Sequence, residues 1–222
     1  MPLAGLSACA GPQSILDPAG PAARTIAALW WGMLAYGTLA LVVVAALWWR
    51  GLHRRHAPPA DTTRPAWASR WLLVGGVLWP TFSIVVLLAF GMPAGHGIQA
   101  LPLPAGAPRI TVDVHARRWT WLVHYAGRTT PLVNELRMPA GVPVDVRVHA
   151  DDVIHSFWVP RLQGKVDAIP GRVNALRLQA DTPGVHRGQC AEFCGTGHAH
   201  MVLNVIVMPP ADFARWMKEP AP

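Results

Sequence analysis

Cys190-Ala-Glu-Phe-Cys-Gly-Thr-Gly-His-Ala-His-Met201 gathers two cysteines, two histidines, a glutamate and a methionine into one short stretch. Cys190 and Cys194 are four apart, His198 follows four later, and Met201 three beyond that. Gly195 and Gly197 oppose a helix, so the stretch reads as a tight loop able to fold round an ion. Thiolate, imidazole and thioether are soft or borderline donors, and together they select copper over magnesium or calcium. A mononuclear blue-copper site takes one Cys, two His and a weak axial Met, and this loop holds one thiolate more than that. Two thiolates held close can bridge two copper ions, so that one electron spreads over both metals with little rearrangement. Taken alone, Cys-x3-Cys also fits a disulfide or the thiol pair of a copper carrier. His198 and Met201, following in register, favour the paired-metal reading.

A second imidazole must come from elsewhere, and His155 in Asp151-Asp-Val-Ile-His-Ser-Phe-Trp-Val-Pro160 is the best placed, at the end of an expected strand. The loop, the His155-Ser-Phe-Trp-Val-Pro run and Lys165-Val-Asp-Ala-Ile-Pro-Gly-Arg172 together resemble subunit II of cytochrome c oxidase, a haem-copper oxygen reductase. The likeness runs from about Ile110 to the C-terminus. It implies a cupredoxin-like Greek-key sandwich carrying the dinuclear copper centre called CuA, with all six family ligand positions filled. By that resemblance Cys190 and Cys194 bridge the coppers, His155 and His198 bind one each, and Met201 is the weak ligand on the copper held by His155. Glu192 gives its backbone carbonyl to the other copper, and its side chain reaches a magnesium or manganese ion shared with subunit I. Trp119 is by position the electron entry point near docked cytochrome c, with Trp121 in the same aromatic run. Thr120 replaces the aromatic residue expected between them, which thins the patch. Asp152 and Asp167 match acids that support the copper site and the interface. His200 is one position off the ligand register, and His115, His124, His149 and His186 read as strand histidines.

The composition, 52% hydrophobic and 14% charged, is too apolar for an ordinary soluble domain of 222 residues. The formal net charge of +7 is carried almost wholly by scattered arginines. That scatter argues against a nucleic-acid surface. Thr25 to Trp49 holds no charged residue, which exceeds the ~20 positions an α-helix needs to cross a bilayer. Trp30, Trp31, Trp48 and Trp49 lie towards its ends, where interfacial indoles belong. A second span is expected from Ser69 to about Phe90, kinked at Pro80 and ending before Gly91-Met-Pro93. Arg50, Arg54, Arg55, Arg64 and Arg70 crowd the loop between the spans against a lone Asp61, so the positive-inside rule puts that loop in the cytoplasm. Both termini then face the periplasm of a bacterium, across its inner membrane.

The expected organisation is therefore membrane α plus all-β. Residues 1–24 form a periplasmic N-terminal segment, where Leu6-Ser-Ala-Cys9 has the small-residue pattern of a lipoprotein cleavage site and makes Cys9 a lipidation candidate. Residues 25–92 form a transmembrane helical hairpin with a cytoplasmic loop at 50–70. Residues 93–108 are a stiff linker holding Pro102, Pro104 and Pro108. Residues 109–222 form the periplasmic domain. Period-two runs at 110–114, 119–123, 142–148, 173–178 and 202–207 mark its strands, with the copper loop between the last two long ones. Pro209 to Lys218 reads as a terminal helix with Phe213, Trp216 and Met217 on its apolar face.

The expected activity is electron entry into a cytochrome c oxidase, from cytochrome c to copper to the haem of subunit I, where oxygen is reduced to water with proton pumping. The copper subunit of a nitric oxide reductase would share every ligand. A quinol oxidase subunit II would lack the copper ligands, and a membrane-anchored copper carrier would need only the thiols and one histidine. Two departures from the family stand out. From Arg109 onward there are 13 Lys and Arg against 10 Asp and Glu, so the domain presents no overall acidic face to a basic donor. The start of the second helix, Pro65-Ala-Trp-Ala-Ser-Arg-Trp71, lacks the glutamate that many relatives place at a proton-channel mouth.

Overall fold

The computed structural model describes residues 10–53, 66–98 and 110–219. Cys9, most of the loop between the helices and the linker prolines lie outside them. The chain divides into two compact units, residues 28–95 and the remainder.

The helical unit is carried by α1 (Pro21–His53) and by a second helix in three pieces: α2 (Ala66–Leu73), a π-helical turn at Val74–Leu78, and α3 (Trp79–Ile98). Both helices are long and apolar enough to cross a membrane. A π turn lies just before Pro80, where the sequence leads one to expect a kink. Proline has no N–H for the carbonyl four residues back. The π turn re-routes the ladder there, with the Trp79 N–H reaching the Val74 carbonyl. The second helix also runs further than expected, through Pro93 to Ile98, so the segment read as linker begins as helix. Within this unit the Tyr36 ring stacks on Trp79 at 5.8 Å and its hydroxyl meets Ser83 Oγ at 2.5 Å.

The second unit is a β-sandwich. Its strands are β1 (Ile110–Arg117), β2 (Thr120–Tyr125), β3 (Leu132–Val133), β4 (Glu135–Pro139), β5 (Val144–Ala150), β6 (His155–Trp158), β7 (Val166–Ala168), β8 (Asn174–Leu178), β9 (Gly184–Cys190) and β10 (Val202–Met208). They form two five-stranded sheets, ordered β3-β2-β1-β5-β8 and β4-β10-β9-β6-β7. β1 runs parallel to β5 and β4 parallel to β10, which a simple meander cannot give. The alternation read from sequence fixes the inner faces. Val112, Val114 and Ala116 of β1, Val144, Val146 and Val148 of β5, and Leu203, Val205 and Val207 of β10 are all buried.

His155 opens β6 instead of closing a strand. Trp119 lies outside the strand expected for it, in the two-residue turn between β1 and β2. The terminal helix α4 (Pro210–Lys218) forms as expected, with Phe213 and Trp216 buried. Trp216 meets Tyr125 edge-on at 5.1 Å, and the Arg128 and Arg137 guanidinium groups lie 4.5 and 4.9 Å from its ring.

One contact set had no signal in the sequence. The segment ahead of α1 is bonded into the sandwich. The Ala19 N–H donates to the Arg161 carbonyl at 2.7 Å, and the Asp181 N–H donates to the Ala19 carbonyl at 3.0 Å. Arg161 pairs with Asp17 at 2.9 Å, Arg24 pairs with Asp181, and Gln13 Nε2 donates to Gln189 Oε1 at 2.8 Å. A Cβ on Gly20 would lie 2.1 Å from the Gln179 carbonyl oxygen, so only glycine lets the chain pass so close.

Candidate metal centre

The loop that joins β9 to β10 is closed at its neck by the Cys190 N–H donating to the Met201 carbonyl at 2.9 Å. The Ala191 N–H donates to the Ser156 carbonyl at 2.9 Å, which ties the loop to β6 and brings His155 alongside. Gly195 takes φ +121°, and the chain then closes a 3-10 turn at His198–His200 that returns Met201 to the neck.

These bonds converge the donors. Cys190 Sγ and Cys194 Sγ are 3.8 Å apart, far beyond the ~2.05 Å of a disulfide, and both are free thiols. His155 Nδ1 stands 3.9 Å from Cys190 Sγ, and His198 Nδ1 stands 3.6 Å from Cys194 Sγ. Met201 Sδ lies 3.9 Å from Cys194 Sγ. The Cys190 thiol points at the Glu192 carbonyl oxygen, 3.2 Å away. His155 and Met201 are fully buried, and both cysteines nearly so. Five side chains and one carbonyl therefore meet in a water-poor pocket. Two sulfurs at this spacing subtend a near-tetrahedral angle at an ion about 2.3 Å from each, the bond length zinc makes to thiolate.

Asp152 orients the site. It accepts from His155 Nε2 at 2.8 Å, from the Arg118 N–H at 2.8 Å and Nε at 3.1 Å, and from the Val153 N–H at 2.7 Å. Burial works to raise its pKa, but the bonds from His155, Arg118 and Val153 prevail and hold it well below the usual carboxylate range. An ionised carboxylate accepts only, so His155 Nε2 carries the proton and Nδ1 keeps its lone pair for a metal. The Cys194 thiol behaves oppositely. Burial, then the neighbouring Cys190 sulfur, push Cys194 up to about 12, so without a cation the Cys194 thiol stays protonated.

Trp119 and Trp121 separate into two roles. Trp121 is fully buried and meets His155 edge-on at 6.2 Å and Phe157 at 5.6 Å. Its backbone N–H donates to Asn134 Oδ1 at 2.8 Å, and Asn134, at φ 55°, is also bonded to β10. Trp119 remains 38% exposed and lies on the metal loop itself, against Gly195 and Gly197. Those two glycines were read only as helix breakers. Their second role, as the platform under an indole, has no sequence signal, because the indole comes from a distant hairpin.

The remaining expected residues are placed as follows. The Glu192 carboxylate is about half exposed, 3.9 Å from Lys165 Nζ. Asp167 stands opposite Ser156 in β7, and its backbone carbonyl accepts from Asn174 Nδ2 at 2.7 Å. His200 is exposed. Phe193 is 77% exposed at the loop tip, its ring 5.7 Å from that of His198.

Residues 121–208 match the family model described as cytochrome c oxidase subunit II, periplasmic domain. Cytochrome c oxidase subunit 2 of Alkalihalophilus pseudofirmus is 30% identical over 96% of this chain and 64% of its own length. Its counterpart in Thermostichus vulcanus is 37% identical over 76% of this chain and 49% of its own. The chain thus spans about half to two thirds of the length of these relatives. Quinol oxidase subunit 2 of Bacillus cereus is 28% identical over 96% of this chain. The crystal structure of the periplasmic domain of subunit II of cytochrome oxidase from Bradyrhizobium japonicum is 30% identical. It covers 49% of this chain and 91% of that one, with a TM-score of 0.47. With two apolar helices ahead of a β-sandwich, and that sandwich matched by the periplasmic-domain model, the chain belongs to the cytochrome c oxidase subunit II family.

Proposed function

We propose that this chain is the electron-entry subunit of a membrane-anchored cytochrome c oxidase, holding a dinuclear copper centre on His155, Cys190, Glu192, Cys194, His198 and Met201. The observation that carries the reading is the unbonded sulfur pair at 3.8 Å with an imidazole nitrogen beside each sulfur. A carrier needs only the thiols and one histidine. The full donor set is what a fixed redox centre requires, and it also favours a cytochrome donor over a quinol.

When bound, the copper pair supplies one-electron chemistry. The protein's part is to hold the site rigid. Cys190 and Cys194 would hold the ions, and Asp152 fixes the His155 tautomer. Burial of Met201 and His155 keeps water out, so little solvent must reorganise as charge changes. Trp119, on the loop and still reachable from solvent, is the entry group for an electron from cytochrome c. Trp121 backs His155 from inside. His198 faces the exit towards the haem of subunit I, where oxygen is reduced to water with proton pumping. The Glu192 carboxylate, turned outward, serves a magnesium or manganese ion at that interface, with Asp167 supporting it. The arginine-rich loop between the helices lies in the cytoplasm and both termini in the periplasm.

The test is copper titration of the full chain in detergent. Two coppers per chain, a purple colour and an unpaired spin shared by both metals are the expected outcome. A single colourless Cu(I) per chain would replace this reading with that of a carrier.

A further inference from the structure

The outward face of the first sheet carries a second group of ligand-type side chains. His115 of β1 is paired in register with His149 of β5, and Asp113 of β1 with His124 of β2. The His115 and His149 rings stack at 4.4 Å and 4°, and the His124 ring meets His115 edge-on at 5.2 Å. Two carboxylates hold two of the rings. Asp151 Oδ1 is 3.0 Å from His115 Nδ1, and Asp113 Oδ1 is 2.9 Å from His149 Nε2. Arg147 binds the other oxygen of Asp113 at 2.5 Å.

This is an unusual way to fill the outward face of a strand pair, where β-branched residues serve stability better. Three imidazoles bring ring nitrogens that pack poorly and need partners. The pairing with the acids is informative. An ionised carboxylate on one ring nitrogen sets the proton there and leaves the other nitrogen with its lone pair. His115 is left with Nε2 and His149 with Nδ1, the carboxylate–histidine arrangement that orients metal-bound imidazoles. Net charge agrees, since two carboxylates and one guanidinium leave the cluster negative for a cation. The strands hold the ring centroids 4.4 and 5.2 Å apart, and binding one ion requires the stacked His115 and His149 rings to turn out of their parallel planes towards it.

We propose that His115, His124 and His149, oriented by Asp151 and Asp113, form a separate site for one divalent borderline cation, of the zinc, copper(II) or nickel class that imidazole prefers. It shares no residue with the thiolate centre and stands or falls apart from it.

The probe is Zn²⁺ alone, titrated calorimetrically into the full chain in detergent, with Cys190→Ser and Cys194→Ser to remove the thiolate centre. One zinc per chain is expected. His115→Ala or His149→Ala added to that background should weaken binding by more than about 100-fold, beyond the ~10–100-fold of an outer-partner change, which is what Asp151→Asn should show. With the cysteines restored, the two histidine variants should load copper normally, which separates loss of the site from loss of the fold. Absence of zinc binding, or binding unchanged by His115→Ala, overturns the proposal.

Discussion

The indole of Trp119 lies against the backbone of Gly197 so closely that a Cβ there would stand 2.3 Å from Trp119 Cδ2 and 2.7 Å from Cγ. No side chain fits between them. Gly197→Ala must push the indole off the loop or lift the loop from the indole. The cost expected for such overpacking is about 1–3 kcal/mol, read as a lower denaturation midpoint with an unchanged denaturant slope. Copper content should hold while electron uptake from a reduced cytochrome slows, measured by stopped-flow absorbance. Uptake at the parent rate would remove Trp119 from the entry path.

Asp152 holds His155 and the Arg118 amide next to Trp119 with one carboxylate. Asp152→Ala frees the imidazole to rotate and to lose its tautomer. Copper affinity should fall by about 10–100-fold, as for other outer partners of metal-bound histidine, in competition with a chelator of known strength.

In the copper-free protein Cys194 has its pKa pushed up to about 12 by burial and the nearby Cys190 sulfur. Its thiolate is then scarce at pH 8, where a free thiol near ~8.5 is partly ionised. The higher basicity makes the remaining thiolate more nucleophilic and recovers part of the loss, leaving alkylation about 100-fold slower than for a free cysteine. Peptide mass spectrometry after timed alkylation checks this, and rapid labelling at pH 8 would contradict it. Copper loading should release protons.

Tyr125 is buried, its hydroxyl donating to the Arg137 carbonyl and accepting from the Arg137 N–H, both at 2.7 Å. Burial raises its pKa well above that of a free phenol. The folded value exceeds the unfolded ~10, so this contribution is complete below pH ~10 and is lost as pH climbs towards the folded value. Unfolding free energy should fall in that window by up to about 1.4 kcal/mol per pH unit from this group. Tyr125→Phe should be less stable at pH 7, by about 1–3 kcal/mol for the stranded partners, with a gap to the parent that narrows above pH 10 in denaturant titrations.

The near balance of 13 Lys and Arg with 10 Asp and Glu from Arg109 onward bears on donor docking. Without a dominant field there is little long-range steering for salt to screen. Turnover with a basic cytochrome c should depend only shallowly on ionic strength, and a steep loss of rate with added salt would point to a concentrated acidic patch.

Much of the fold was legible because its signals are local. Val112, Val114 and Ala116 alternate, as do Leu203, Val205 and Val207, and α4 shows its apolar face through Phe213 and Trp216. β9 was not legible, since Gly184-Val-His-Arg-Gly-Gln-Cys190 has no apolar alternation and forms because β6 and β10 flank it. β6 and β7 are short and depend on each other's bonds. The convergence of Cys190, Cys194, His198 and Met201 was legible because all four sit on one loop. The placement of Trp119 outside its strand was not, because the turn at Arg118–Trp119 is set by bonds to Asp152. Nor was the histidine cluster, whose members come together only through the register of three strands.

The bonds of Ala19 to Arg161 and Asp181 have a practical consequence. Residues before the first membrane-length helix form part of the wall of the sandwich, so a fragment excised to begin at Ile110 would leave that wall open. Its Arg161 carbonyl and Asp181 amide would turn to solvent, and Gln189 would lose its bond from Gln13. A water-soluble fragment made for spectroscopy should be less stable than the anchored protein, and restoring residues 10–20 as an added peptide should recover part of the difference.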